Sequence, residues 1–383
     1  MLRKKSTGSW EQRVAHLMKA RQAKNKNLVK ALAESATLSR LALLPAIKPP
    51  RNTSIPKVKP PTQVDTPAPG KWLKAHHATL HDGGTLPVRM QYWLYLPSKQ
   101  PANPMPLMVM LHGCAQSATQ FAQSTRMNQL AEEKGFAVLY PQLSATQGPA
   151  RCWGWYKKDV QQGGSEVQSV VGVINDVVQR YRFDRSRIYI AGISAGAAMA
   201  HIIAMNHPQL IAAVGMHSGS LFGVAQSPLE GIKVMQHGAA SALHDAIHLV
   251  AKRIPQYAPM PAVLVHGAED VIVRPVNLYH LAEQFREINH IAGFDHDAIL
   301  VKLTERQASA QSNAYKCLEY FAGKKMLLKV CEVYGLGHAW SGGDETIRFS
   351  DGKGPDASRL MWDFFAQHRR EIRMQLLPIA LGS

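Results

Sequence analysis

Cysteine is scarce in this chain of 383 residues: Cys114, Cys152, Cys317 and Cys331 are all it has. So few cannot build the dense disulfide framework of a small secreted domain, and none stands in a Cys-x-x-Cys pair, which excludes a zinc ribbon. Long apolar runs are also missing. Nothing approaches the roughly 18 uninterrupted apolar residues that a membrane-crossing helix needs, while 46% hydrophobic and 19% charged residues fit a globular enzyme. The first 22 residues, MLRKKSTGSWEQRVAHLMKARQ, carry basic side chains without the apolar stretch and small-residue cleavage pattern of a secretory signal. The expectation is a cytoplasmic chain.

Acidic residues are rare at the front. Residues 1–60 hold fourteen Lys or Arg against Glu11 and Glu34, 14 − 2 = +12 of the total formal charge of +17. Within residues 1–44, Trp10, Val14, Leu17, Met18, Leu28, Val29 and Leu32 recur at one-face helical spacing. This predicts a basic amphipathic arm that packs on the body or meets an anionic surface such as a granule or membrane. The aromatic interleaving of nucleic-acid readers is absent, so nucleic acid is not the expected partner. The proline-rich stretch 45–70 follows as a linker, because proline removes backbone donors and favours extended chain. The remainder, 71–383, is then one catalytic domain.

That remainder alternates short apolar runs with helical patterns. Residues 88–97, 106–112, 136–141, 187–192, 211–219, 262–267 and 327–335 read as strands, and 166–181 and 277–288 as helices. Such alternation predicts an α/β fold, a mostly parallel central sheet with helices on both faces.

Three segments carry chemistry. Gly192-Ile193-Ser194-Ala195-Gly196 lies between an apolar strand and a small-residue helix, where flanking glycines permit a tight turn that lifts the serine hydroxyl off the sheet. A serine hydroxyl needs a base and a carboxylate to orient that base. The strand AVLVHG runs into Glu269 and Asp270, placing carboxylates at a strand's C-terminal end. Asp270 is the candidate and Glu269 the competitor. His338, in GLGHAWSGG after the last apolar strand, has the chain order and glycine-rich setting of the base. The developing oxyanion would meet the backbone N–H groups of Ala195 and of Cys114, the latter in the loop after an early strand. Cys114 and Cys152 both fall beside this site, and Cys317 and Cys331 flank a predicted hairpin. Two bridges are open, and the redox state is undecided by sequence.

The elbow and the order Ser, Asp, His resemble α/β hydrolases. LHGCAQ (111–116), CWGWY (152–156), IYIAGISAGAAMA (188–200), VHGAEDVIV (265–273), GLGHAWSGG (335–343) and GPDAS (354–358) together resemble polyhydroxybutyrate (PHB) depolymerase-type esterases, a group related to feruloyl and acetylxylan esterases. The resemblance covers roughly 75–370. It implies hydrolysis of a carboxylic ester of poly- or oligo-(3-hydroxyalkanoate) type, with a feruloyl or acetylxylan ester as the alternative, through an acyl-enzyme and with neither metal nor organic cofactor. It also implies Trp153, Trp155 and Trp340 as aromatic walls for substrate, with hydrophobic packing as the alternative. Members of this group are often secreted, a departure from the cytoplasmic expectation. His244 and His248 stand one helical turn apart without an evident third metal ligand, so helix packing is expected. Asp356 and Ser358 precede an apolar-periodic run and read as helix caps.

Overall fold

The computed structural model describes residues 68–99, 101–144, 151–254, 257–295 and 299–370. The basic arm and all of the linker before residue 68 lie outside the described residues.

The apolar runs pair into one ten-stranded sheet. In chain order the strands are β1 (Lys71–Thr79), β2 (Val88–Leu96), β3 (Met105–Leu111), β4 (Ala137–Gln142), β5 (Phe183–Ile193), β6 (Ala213–His217), β7 (Ala262–Gly267), β8 (Ile299–Arg306), β9 (Tyr315–Ala322) and β10 (Lys325–Val333). Their order across the sheet is β1-β2-β4-β3-β5-β6-β7-β10-β9-β8. The six central strands from β4 to β10 run parallel, and antiparallel pairs flank them on both sides. A two-stranded parallel bridge, β11 (Trp340–Ser341) with β12 (Ser350–Asp351), sits after β10.

Alternate side chains of the parallel strands enter two separate cores, as the period-two geometry of a strand demands. Leu107, Val109, Ile188, Ile190, Val214 and Leu264 face one way and meet helices α4 (Glu166–Arg180), α5 (Ala195–Asn206), α7 (Leu243–Arg253) and α8 (Val276–Ile291). Met108, Met110, Tyr189, Ala191, Ala213 and Val263 face the other way, toward α1 (Ala118–Thr125), α2 (Met127–Lys134) and α9 (Ala357–Phe365). A strand buried on both faces reads as a continuous apolar run, which is why the central strands were legible. The remaining helices are the short α3 (Lys158–Gln161) and the ten-residue α6 (Pro228–His237).

Three strands do not announce themselves in the sequence: β1, β8 and β9. The edge strands β1 and β8 are half exposed to wholly exposed along their length, so polar residues interrupt the pattern. The predicted hairpin around Cys317 and Cys331 is β9 and β10, whose register sets these two residues opposite each other, joined as a disulfide.

Candidate active site

Ser194 follows the last residue of β5 and precedes α5, with φ 56° and ψ −123°. Such a backbone is strained by about 1–3 kcal/mol in a non-glycine residue and persists only when its surroundings hold it. They do so on three sides. The Ser194 N–H donates to the carbonyl of His217 at 2.9 Å, and the Ser194 carbonyl accepts from Ala198 N–H at 3.0 Å. A Cβ on Gly192 would lie 2.5 Å from the Gly196 carbonyl carbon and 2.7 Å from the Leu111 oxygen, and one on Gly196 would strike the Leu111 and His112 oxygens. Both glycines of the elbow are therefore required by close approach, and the second lets α5 press against the loop after β3.

That loop holds Cys114. Gly113 N–H donates to Gln116 Oε1 at 2.9 Å, which leaves the next N–H, that of Cys114, as the donor not tied to Gln116. Ala195 is the first residue of α5, where helical geometry leaves the backbone N–H without an intrahelical acceptor. The two predicted oxyanion donors thus come from the two segments that Gly196 brings into contact. Cys114 is bonded to Cys152, tying this loop to the segment after residue 150.

Asp270 lies three residues beyond β7, and its carboxylate is wholly buried. Oδ1 accepts the backbone N–H groups of Ile272 and Val273, each at 2.9 Å. Oδ2 faces His338 Nδ1 at 2.8 Å. Burial pushes this carboxyl upward, but the hydrogen bond from His338 and the nearby His266 outweigh it and hold Asp270 below the usual carboxylate range. Glu269 points outward, exposed, so position 270 is the one aimed at the histidine. A Cβ on Gly267 would collide with the Leu336 and Gly337 oxygens, so this glycine lets the His338 loop descend onto the end of β7. His338 keeps a small exposed edge, its side chain 9% accessible. Ser194, Asp270 and His338 therefore follow β5, β7 and β10 on one edge of the sheet. Among the described residues no hydrogen bond links the Ser194 hydroxyl to His338.

A family model for esterase PHB depolymerase matches residues 90–302, more than half of the chain. The chain belongs to the esterase PHB depolymerase family. Poly(3-hydroxyalkanoate) depolymerase C of Paucimonas lemoignei is 29% identical over 211 residues, covering 54% of this chain and 50% of that protein. Feruloyl esterase B of Thermothelomyces thermophilus is 29% identical over 202 residues, covering 50% of this chain and 68% of the relative. The chain thus spans about half the length of the depolymerase it matches. Among solved structures, an acetyl xylan esterase from Aspergillus awamori superposes with a TM-score of 0.59 at 19% identity, covering 78% of this chain and 99% of that one, which shows a shared α/β-hydrolase fold.

Within this esterase PHB depolymerase member the three tryptophans that the resemblance implies as aromatic walls are all buried. Trp153 is fully buried, its indole N–H donating to the His112 carbonyl at 3.0 Å. Trp155 is 4% exposed and packs edge-on against Tyr156 beside Gly231 of α6. Trp340 is fully buried, stacked on His217 and edge-on to Phe121, and it donates to Ser358 Oγ at 3.2 Å. Asp356 caps α9 by accepting from Arg359 N–H at 3.0 Å, whereas Ser358 donates to the Thr125 carbonyl and is no cap. His244 and His248 each pair with Glu287 of α8, at 3.3 and 3.1 Å, and among the described residues no cluster has the arrangement to hold a metal.

Sequence reasoning passed over His112, His217 and His266, three fully buried histidines around the site. His112 donates from Nδ1 to the Gly113 carbonyl at 2.9 Å and accepts Leu143 N–H at Nε2, bracing the Cys114 loop. Burial lowers its pKa to about 4, so it stays neutral. The only signal for any of them was a position at, or one residue from, a strand's C-terminal end.

Proposed function

We propose that this chain is a serine esterase that hydrolyses carboxylic esters, poly- or oligo-(3-hydroxyalkanoates) in particular, through an acyl-enzyme. What carries this reading is the 2.8 Å contact of a buried, doubly hydrogen-bonded Asp270 with His338 on the sheet edge that also bears the strained Ser194. Asp270 accepts from Nδ1, fixing the tautomer in which His338 Nε2 carries the lone pair. Ser194 Oγ attacks the ester carbonyl carbon while its proton passes to Nε2. The carbonyl π electrons move onto oxygen, where the N–H groups of Ala195 and Cys114 receive the charge. The C–O bond to the alcohol then breaks, and the alkoxide leaves with the proton from His338. Water attacks the acyl-enzyme, with His338 as base again, and the acid and free Ser194 result.

A feruloyl or acetylxylan ester is the competing substrate, favoured by the likeness to feruloyl esterase B. It would use the same three residues. Acid release from amorphous poly(3-hydroxybutyrate) and from feruloylated xylan, measured side by side with the full chain, decides between them: faster release from the polyester by an order of magnitude supports the proposal, and the reverse overturns it. We assign 71–383 to catalysis and residues 1–44 to attachment at an anionic granule or membrane surface. Deleting residues 1–60 should then abolish sedimentation with granules while p-nitrophenyl ester hydrolysis persists.

A further inference from the structure

β6 lies between the strand of the nucleophile and the strand of the carboxylate, and its last residue, His217, is fully buried. Its register partners are Ile193, the residue before Ser194, and Val265 of β7. The main-chain carbonyl of His217 holds Ser194 N–H at 2.9 Å. Its ring lies against the indole of Trp340, centroids 5.1 Å apart and planes 27° apart, and Nε2 is 3.2 Å from the backbone nitrogen of Ser341. Nδ1 is 3.2 Å from Ser218 Oγ. The Ser341 N–H can only donate, so Nε2 is the acceptor and the ring proton sits on Nδ1, directed at the Ser218 hydroxyl.

The loop that bears His338 is also held by the residues flanking β12, through Trp340 N–H to the Phe349 carbonyl and Gly342 N–H to the Lys353 carbonyl. The imidazole of His217 holds it at Ser341. We propose that His217 is a positioning residue for catalysis: one residue fixes the height of the Ser194 elbow through its carbonyl and the seat of the His338 loop through its ring. The proposal rests on the esterase reading above. Removing the ring acceptor leaves the Ser341 N–H buried and unpaired, and a loop released in this way shifts His338 relative to Ser194. A misplacement of about 1 Å costs on the order of 100-fold in rate.

Two substitutions separate the ring's two nitrogens. Glutamine puts an amide oxygen near the place of Nε2 and reaches Ser341; asparagine places its polar atoms near Nδ1 and reaches only Ser218. In the full chain, kcat and KM for p-nitrophenyl butyrate should stay within about threefold of wild type in His217→Gln, while His217→Asn should lose about 100-fold in kcat with KM little changed. Equal kcat in the two variants, at any level, overturns the proposal. So does a loss confined to KM, or an equal fall of Tm and kcat in both, which would make His217 a packing residue. Ser194→Ala is measured alongside: activity retained there sinks the esterase reading itself, an outcome distinct from parity of the Gln and Asn variants.

Discussion

Replacing Asp270 by asparagine is a nearly isosteric change whose consequence follows from the hydrogen bonds around it. Oδ1 receives two backbone N–H groups, from Ile272 and Val273. In Asp270→Asn only the amide oxygen can serve those donors, so the amide NH2 must occupy the place of Oδ2, 2.8 Å from His338 Nδ1 in the native site. Nδ1 then has to accept, the ring proton moves to Nε2, and the lone pair that should take the Ser194 proton is gone. In serine hydrolases this wrong tautomer lowers kcat by about 10⁴, equivalent to about 4 × 1.36, or 5.4 kcal/mol, on the barrier. The fold should survive, since both backbone donors keep their acceptor. Initial rates with p-nitrophenyl butyrate and a thermal melt test the two halves together. A kcat within about tenfold of wild type in a folded Asp270→Asn protein would refute the orientation argument.

Glu269→Gln should leave kcat within about twofold, because the side chain is exposed and turned from His338; a loss like that of Asp270→Asn would exchange the two assignments. His201, fully buried between Phe222 and Phe285, has both ring nitrogens without a partner among the described residues, and burial lowers its pKa to about 3. The unfolded chain binds a proton there below about pH 6.5 and the folded chain does not, so this group's contribution is present above that pH and is lost as pH falls toward 3. His201→Leu should therefore gain about 2 kcal/mol on wild type between pH 7.5 and pH 5 in urea unfolding, from 1.5 pH units at about 1.36 kcal/mol each; parallel pH profiles would contradict this. The double variant Cys317→Ser, Cys331→Ser opens a bridge spanning 14 positions between β9 and β10, far from Ser194 in the sheet order. It should lose about 3 kcal/mol in stability with kcat at 25 °C unchanged, and a matching fall in kcat would place that hairpin in the catalytic machinery.

The sequence revealed the parts of the molecule whose local chemistry is self-contained. Central strands such as Ile188–Ile190 within β5 are apolar on both faces and need no partner to be recognised. The elbow, the acid and the histidine each lie at the end of such a strand, so chain order and glycine context sufficed to nominate them. Edge strands were illegible because exposure on β8 admits lysine, threonine and glutamate into a strand that exists only by pairing with β9. The surroundings of Trp153 and Trp340 were illegible for a related reason. Whether an indole faces solvent or the Ser358 hydroxyl depends on segments more than a dozen residues distant, and no local pattern encodes that. His217 escaped notice because its significance lies in Ser341, 124 residues downstream. Glycine signals worked in both directions: Gly196 and Gly267 mark backbone contacts that only the assembled sheet explains.

The central claim is that Ser194 is the nucleophile. Incubation of the full chain with a fluorophosphonate, followed by intact mass and peptide mapping, tests it most directly. The account predicts one adduct per chain, on Ser194, formed in step with the loss of ester hydrolysis and absent from Ser194→Ala, which should itself be inactive. An adduct on another residue, or undiminished hydrolysis by Ser194→Ala, would contradict it.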